Sequence, residues 1–440
     1  MIKTSVPKYF ADRRSELMKK YPDAVFVMPG AESVLRNPDV DYPFRQESNL
    51  YYLTGYDEAE SCLILSPQTS GSKKFKTTLF VRERSLEREM WEGQRYGTDG
   101  AMNVFGADES YLMHELSSKL ADYFKGADRV FYRMGQSKKF DDMMLAALEK
   151  HRLSQGRSGK TLLKIEDPQS AIGEMRLFKK KEEAELMRKA CSLSARAYKT
   201  VIQETKPGMN EADIEALIEY TFKKNGAHRL SYGSIVAGGK NATCLHYREN
   251  NEPLKDGDLL LIDAGAEFDY YGADITRTFP IGREFTKPQA KLYDALLKIQ
   301  KDTIAMVKPG LRYSEMHKFT CESLTEVFLS QGMLKGSKKD IMDKMAFRRF
   351  FPHGTGHWLG MDVHDVGLYT LNGESRLLEP GMLFTIEPGI YIQPGDNEAP
   401  AEFKNLGMRI EDDILVTESG CEVLTHEAPK ERAEIESLKK

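Results

Sequence analysis

The order of apolar and polar positions predicts a mixed α/β region followed by a longer α+β region. Short apolar runs bounded by Gly or Pro, at 24–28, 50–53 and 77–81, predict β-strands. Residues 112–123 and 141–153 have apolar side chains three and four positions apart, as amphipathic helices do. The first part of the chain therefore combines strands and helices in one α/β domain.

A polar break predicts where this first domain ends. Residues 166–170 are polar and include Pro168, which is typical of a linker between domains. A long amphipathic helix is predicted directly afterwards, over 178–204. The sequence thus predicts a smaller N-terminal domain of residues 1–168 and a second domain of residues 169–440.

The second domain contains an internal repeat. In each copy a helix ends in Lys-Pro-Gly, at 206–208 and 308–310, and a second helix follows. Residues 254–265 then align without gaps on 378–389, and both segments have the pattern of an apolar strand that ends in a carboxylate. Two helices and a strand repeated in the same order favour a duplication over a chance match. Halves related by a pseudo-two-fold axis would bring equivalent carboxylates together at their shared centre.

Four carboxylates occupy equivalent positions in the two copies. Asp263 and Glu387 end strongly apolar strands, where a buried carboxylate is costly unless it is paired or bound to a metal. Asp274 and Glu411 adjoin alternating, β-branched segments that predict further strands. A single acid of this kind is usually exposed or salt-bridged, but two symmetric pairs favour one shared site.

Histidines cluster in the same region. Three of the nine lie at His353, His357 and His364, and the glycines between the first two argue against a helical zinc motif. An extended strand would place His353 and His357 on one face. His246 occupies the matching place before the strand of the first copy. Each histidine alone could equally be an ordinary core or surface residue.

Four acids with one or two imidazoles predict a site for hard divalent cations. Manganese-type ions suit oxygen ligands, zinc or cobalt could bind through an imidazole, and no Cys-x-x-Cys pair supports a thiolate site. Two ions balance four negative charges better than one. Two metals about 3.5–4 Å apart can hold and activate a hydroxide for hydrolysis.

Composition excludes several other classes of protein. The chain has 440 residues with 63 Lys and Arg against 67 Asp and Glu, so the net charge of −4 argues against nucleic acid or anionic membranes as partners. No apolar run approaches the roughly 20 residues of a membrane span, and no secretory signal is evident at the N-terminus. Five scattered cysteines predict a reducing, cytoplasmic location. Walker and Gly-x-Ser-x-Gly motifs are absent from the sequence.

Several ordered motifs resemble the dinuclear-metal pita-bread peptidases, a family that includes methionine aminopeptidase, prolidase and aminopeptidase P. The resemblance spans about 175–426 and rests on Asp263 and Asp274, eleven positions apart, and on segments 353–357, 362–367, 387–389 and 409–413. Residues 42–55 resemble the first domain of aminopeptidase P and prolidase, which methionine aminopeptidase usually lacks. The chain as a whole is most similar to the aminopeptidase P branch. The resemblance implies a C-terminal pita-bread fold of duplicated halves after a smaller α/β domain.

The resemblance also implies roles for individual residues. The implied ligands of two divalent ions, most readily Mn²⁺, are Asp263, Asp274, His357, Glu387 and Glu411, with Asp274 and Glu411 bridging both ions. The implied catalytic residues are His246, His364 and Glu387. The implied substrate-side and supporting residues are His353 at the proline pocket, Tyr391, Arg409, and Asp39 near the substrate's amino group. Asp39 could instead be an ordinary loop aspartate.

Trp91 resembles an aromatic residue that reaches the site of a neighbouring subunit, which implies a homodimer or homotetramer. A structural anchor within one chain is an equally open interpretation, because the sequence has only two tryptophans.

These features imply a metal-dependent exopeptidase that hydrolyses the bond between an N-terminal residue and a following proline by attack of a metal-bridging hydroxide. Prolidase, which shares the ligands but cleaves only Xaa-Pro dipeptides, stays open as an alternative. A catalytically dead binding module and the metal-free creatinase have the same fold, but both are disfavoured because all five ligand positions are filled. Segment 370–375 departs from the family's loop, so no polar contact there is carried over.

Overall fold

A computed structural model describes residues 4–68, 74–156 and 163–439. The chain forms two compact units, Met1–Gly173 and Glu174–Lys440, each with its own sheets and core. The boundary predicted after residue 168 lies directly before helix α7 (Gln169–Leu177), within which the division falls.

Unit 1 is built around a mixed β-sheet. The structure describes the strands β1 (Ala24–Pro29), β2 (Leu35–Asn37), β3 (Val40–Asp41), β4 (Cys62–Pro67), β5 (Phe75–Val81), β6 (Glu109–Leu112), β7 (Arg129–Phe131) and β8 (Lys164–Glu166). It describes the helices α1 (Tyr9–Lys20), α2 (Ser48–Thr54), α3 (Leu86–Glu92), α4 (Gly97–Asn103), α5 (Leu116–Lys119) and α6 (Lys138–Ser154). The sheet has the order β6-β5-β4-β1-β7-β8, antiparallel between β1 and β4 and between β4 and β5, and parallel towards both edges.

Two predicted elements of unit 1 differ from the structure. The strand predicted at 50–53 is wrong, because these residues form helix α2. The Glu47 side chain accepts a hydrogen bond from the Leu50 backbone N–H at its start, and Gly55 ends it with a φ of 70°. Residues 112–123 form short α and 3₁₀ turns rather than the one helix predicted.

Unit 2 contains longer helices and smaller sheets. Its helices are α7 (Gln169–Leu177), of which the last four residues belong to this unit, α8 (Lys181–Glu204), α9 (Glu211–Lys224), α10 (Lys287–Ala305), α11 (Tyr313–Ser330), α12 (Lys338–Asp343) and α13 (Arg432–Leu438). Its main strands are β9 (Arg229–Leu230), β10 (Ile235–Gly238), β11 (Leu259–Asp263), β12 (Ala266–Phe268), β13 (Tyr271–Gly272) and β14 (Thr276–Pro280). The later strands are β15 (Thr370–Leu371), β16 (Glu374–Ser375), β17 (Leu383–Ile386), β18 (Gly389–Tyr391), β19 (Gly407–Arg409), β20 (Asp412–Val416) and β21 (Cys421–Val423). Within the described ranges, no helix combines the length and apolar character that crossing a bilayer requires.

The predicted duplication is visible in the backbone of unit 2. In the first half α8 and α9 precede the antiparallel pair β11–β14, and in the second half α10 and α11 precede the pair β17–β20. The Gly208 N–H donates to the Leu254 carbonyl, and the Gly310 N–H donates to the Leu378 carbonyl, both at 2.9 Å. These are the glycines and leucines that correspond in the sequence repeat, so the α+β fold of duplicated halves is confirmed.

Strand pairing places the four acids at matching ends of the two strand pairs. In an antiparallel pair, the end of one strand lies beside the start of the other. Asp263 at the end of β11 is opposite Thr276 at the start of β14. Ile386 at the end of β17 is opposite Asp412 at the start of β20. Each pair thus presents one acid from a strand end and one from the segment that enters the second strand.

Candidate metal centre

One cavity of unit 2 brings most of the predicted site residues together. The cavity measures about 390 Å³. The predicted residues that line it are His246, Asp263, Asp274, His353, His357, His364, Glu387, Arg409 and Glu411. Ligand atoms of Asp274, His357 and Glu411 all lie within 4.8 Å of one another. The strand ends of both halves therefore converge on one point.

A tyrosine joins the two acids of the first half. The Tyr232 hydroxyl lies 2.5 Å from Asp263 Oδ1 and 2.5 Å from Asp274 Oδ1. Burial and the negative charges of these two carboxylates raise the pKa of Tyr232 well above its usual range. Its proton is therefore retained, and it orients both carboxylates. Tyr232 is not predicted from the sequence, because it stands alone in a loop with no spacing that relates it to the acids.

Arg409 connects the acids of the two halves. Its guanidinium donates to Asp263 Oδ2 at 2.5 Å, to the Tyr391 hydroxyl at 2.9 Å and to Thr276 Oγ1 at 2.9 Å. Thr276 in turn donates to Glu411 Oε2 at 2.6 Å. Arg409 and Tyr391 thus belong to one hydrogen-bond network with Asp263 and Glu411.

His357 faces two of the acids. Its Nδ1 lies 3.1 Å from the Trp358 carbonyl oxygen, which leaves Nε2 pointing at Asp274 Oδ2 at 3.4 Å and Glu387 Oε1 at 3.6 Å. Burial disfavours the charged ring, but the two carboxylates outweigh it and raise the pKa of His357 to about 9. A ring fixed in this way can offer Nε2 to a cation.

The segment that contains His353 and His357 is not the strand that was predicted. It is irregular, but it runs beside β17, because the Thr385 N–H donates to the His357 carbonyl at 2.9 Å and the Glu387 N–H donates to the Thr355 carbonyl at 2.8 Å. A Cβ at Gly356 would lie 1.8 Å from the Thr385 carbonyl oxygen. Glycine is required for this close approach, which explains the spacing of the two histidines.

His246, His353 and His364 line the same cavity. None of their ring nitrogens lies within 3.5 Å of a carboxylate oxygen of the described residues. The His353 Nε2 lies 2.9 Å from the Tyr391 hydroxyl, and burial together with Arg409 lowers the pKa of His353 to about 3. The His364 ring centroid lies 4.3 Å from that of His357. Burial is the main cause that lowers the pKa of His364, and the positive charge of His357 lowers it further. His246 is exposed at the cavity wall.

The electrostatics of the cavity fit divalent cations. Burial raises the pKa of Glu387 to about 7, with His357 opposing, and raises the pKa of Asp263, with Arg409 opposing. Burial and the nearby acids raise the pKa of Glu411 well above its usual range. Four carboxylates that face one guanidinium would carry excess negative charge, which divalent ions neutralise. Oxygen donors with one imidazole are the ligands that such ions accept.

Two predicted residues lie in unit 1. Asp39 is exposed at the turn between β2 and β3, with a φ of 70°. Trp91 in α3 is 86% exposed. Their roles stay predictions.

A duplicated core that presents four carboxylates and an imidazole to one cavity defines a metal-dependent hydrolase. Comparison with known families agrees with this class. The sequence profile described as "Metallopeptidase family M24" matches residues 185–418, and that described as "Aminopeptidase P, N-terminal domain" matches residues 10–132. The chain belongs to metallopeptidase family M24 and has an N-terminal domain of the aminopeptidase P type.

Similar proteins support this membership along the whole chain. A Xaa-Pro aminopeptidase of Escherichia coli (strain K12) is 38% identical over 98% of this chain and 97% of its own length. The Homo sapiens Xaa-Pro aminopeptidase 3 is 36% identical, covering 98% of this chain and 85% of that protein. The solved structure of Pseudomonas aeruginosa aminopeptidase PepP is 41% identical, with a TM-score of 0.93 and coverage of 99% and 98%. The predicted family is confirmed, and the chain is a metal-dependent exopeptidase.

Proposed function

We propose that this enzyme removes the N-terminal residue from peptides whose second residue is proline. The observation that supports this most directly is the convergence of all five predicted ligands on one cavity, in a chain that matches Xaa-Pro aminopeptidases over nearly its full length. Family members that act only as binding modules typically lose ligands, whereas this cavity retains Asp263, Asp274, His357, Glu387 and Glu411.

We propose two divalent ions, most readily Mn²⁺, as the cofactors. Asp263, Asp274 and Glu411 would hold one ion, and Asp274, His357, Glu387 and Glu411 would hold the other. When bound, such ions supply Lewis acidity and activate a water molecule at neutral pH. The buried position of the acids suits this role, because carboxylates removed from water bind cations more strongly than exposed ones do.

The chain's own side chains then divide the remaining tasks. Burial raises the pKa of Glu387 to about 7 in the metal-free protein. In the loaded enzyme the Glu387 carboxylate would be a metal ligand beside the activated water, where it can accept a proton and return it. His364, whose pKa is lowered, is neutral at this pH, and its ring can donate a hydrogen bond to a peptide carbonyl. His353, held by the Tyr391 hydroxyl, provides one wall for the proline ring. His246 faces the same space from the opposite half.

The length of the substrate tests this proposal. We expect a Xaa-Pro-Yaa tripeptide to be cleaved with higher kcat/KM than the matched Xaa-Pro dipeptide, because contacts beyond proline contribute binding energy to turnover. A Xaa-Ala-Yaa peptide should hardly react. The measurement is release of the first amino acid from the three peptides at equal concentration.

A site that requires the dipeptide's own carboxylate would reject longer peptides strongly. Cleavage confined to the dipeptide would therefore assign the enzyme as a prolidase and contradict the proposal. Equal rates on proline and alanine peptides would remove proline specificity altogether.

We further propose that the enzyme is a homo-oligomer in which α3 contacts a second copy. Met90 is 87% exposed and Trp91 is 86% exposed, and α3 has no buried residue. Large apolar side chains displayed side by side on a short helix are typical of protein interfaces. A homodimer or homotetramer would remove them from water.

Trp91→Ala should lower the mass of the particle in solution, because it removes the largest apolar side chain of this helix. Light scattering after size-exclusion chromatography measures the mass, and Leu145→Ala, 54% exposed on α6, is a matched control. A wild-type enzyme that is monomeric at micromolar concentration would contradict the proposal.

A further inference from the structure

A buried cluster of charges lies beneath the loop that presents His364. Asp365 follows His364 directly, and its two carboxylate oxygens are bound separately, Oδ1 by Arg176 Nη2 and Oδ2 by Lys179 Nζ at 3.0 Å. Arg176 Nη2 also donates to Asp362 Oδ2 at 2.7 Å. One guanidinium therefore binds a carboxylate on each side of His364 in the chain.

We propose that Arg176 and Lys179 form a charged clamp on Asp362 and Asp365 that positions His364 for the reaction. The inference rests on the proposed function, in which His364 contacts the peptide carbonyl. The four residues are called the Asp365 clamp below, and the clamp acts on the substrate only through His364.

The burial of the clamp shows that its geometry is tightly determined. The exposed fractions of the side chains are 2% for Arg176, 1% for Lys179 and 1% for Asp365, whereas Asp362 is 38% exposed. Buried charges are tolerated only when they are well paired, so each cation has few alternative positions. Two positive and two negative groups balance one another within the clamp.

Backbone contacts transmit this geometry to the loop. The Asp365 N–H donates to the Trp358 carbonyl at 2.9 Å, and the Gly360 N–H donates to the Asp362 carbonyl at 3.2 Å. A Cβ at Gly360 would lie 2.1 Å from Asp365 Oδ2 and 2.9 Å from Lys179 Cε. The loop is thus folded closely around the clamp.

His364 itself depends on this support. It is exposed, and its ring centroid lies 4.3 Å from that of His357. A side chain placed on an irregular loop keeps its position only as well as the loop does. An error of about 1 Å in the position of a reacting group can cost about 100-fold in rate.

Lys179→Met, combined with His364→Ala, tests the clamp. Lys179→Met removes one partner of Asp365 but leaves Arg176, so the fold should persist. With Xaa-Pro-Yaa as substrate, we expect kcat to fall by about tenfold in the wild-type background. In the His364→Ala background the same substitution should change kcat by less than about twofold, because the group that it positions has already been removed. Metal content, measured by elemental analysis, should be unchanged in all four proteins.

A matched control comes from the same segment. Glu174 is 25% exposed and accepts from Arg376 Nη1 at 2.8 Å, so Glu174→Gln weakens another ion pair of this segment without touching the clamp. We expect its kcat to match that of the wild type. If Lys179→Met does not fold, Asp362→Ala at the half-exposed end of the clamp replaces it in the same comparison.

Two results would overturn the clamp. An equal loss of kcat in both backgrounds would mean that Lys179 acts through general stability, and an unchanged kcat in the wild-type background would mean that it does not position His364. A wild-type enzyme that cleaves no Xaa-Pro peptide would instead reject the proposed function, together with the substrate role of His364.

Discussion

Glu411→Ala is expected to abolish peptide hydrolysis and metal binding together. Glu411 is 2% exposed, accepts from Thr276 Oγ1 at 2.6 Å and lies with Asp274 and His357 in the ligand cluster. Its removal takes a proposed bridging carboxylate from both ions at once. We expect a loss of activity greater than the roughly 10–100-fold that is typical of residues behind the ligands. Elemental analysis of the purified protein should show metal well below the wild-type content.

His364→Ala is the matched control for this substitution. It lines the same cavity, but its proposed role concerns the peptide and not the ions, so metal content should stay near normal while turnover falls. A similar loss of metal in both variants would contradict this division of roles. Retained metal in Glu411→Ala would remove Glu411 from the proposed ligands.

Treatment with a chelator is expected to abolish activity and to make stability depend on pH. Activity should return best with manganese. In the metal-free protein the pKa of Glu387 is about 7, above its usual value of 4.5, and the pKa values of Asp263 and Glu411 are also raised. Between pH 4.5 and about pH 7 the folded protein keeps a proton on Glu387 that the unfolded chain has released. The free energy of unfolding therefore falls as pH rises through this range. Bound cations replace these protons.

The difference in Tm between metal-loaded and chelated enzyme should therefore be larger at about pH 8 than at about pH 5. Differential scanning calorimetry in matched buffers measures it. The comparison within one pH removes contributions from titratable groups elsewhere in the chain. Full activity in a preparation free of metal by elemental analysis would contradict the proposed chemistry, and a difference in Tm independent of pH would contradict the role of the acids.

The acids of the metal centre could be predicted because they belong to a repeat. Asp263 and Glu387 occupy the same position in two aligned segments, and strand periodicity then places each at a strand end. The match between these two segments was sufficient for this step, without any knowledge of the tertiary structure. The helix predicted directly after 206–208 is present as α9, and the Asn210 side chain caps its first turn.

Other features depend on contacts between distant residues and leave no local signal. The Arg176–Asp365 contact joins residues 189 positions apart, and the Tyr232 contact with Asp274 joins residues 42 apart. In α2 every residue is buried, so its apolar run shows no period that distinguishes a helix from a strand. These elements are determined by packing, which no single segment of the sequence records.

The pairing of the strands also limits how this scaffold can evolve. Strand register shifts only by whole residues, and a slip of one residue turns a side chain to the opposite face of the sheet. Asp263 in β11 and Glu387 after β17 therefore cannot move away from the centre by small steps in register. Descendants of this architecture should fall into two groups, enzymes that keep the whole set of ligands and folded proteins that have lost several of them, with few intermediates between.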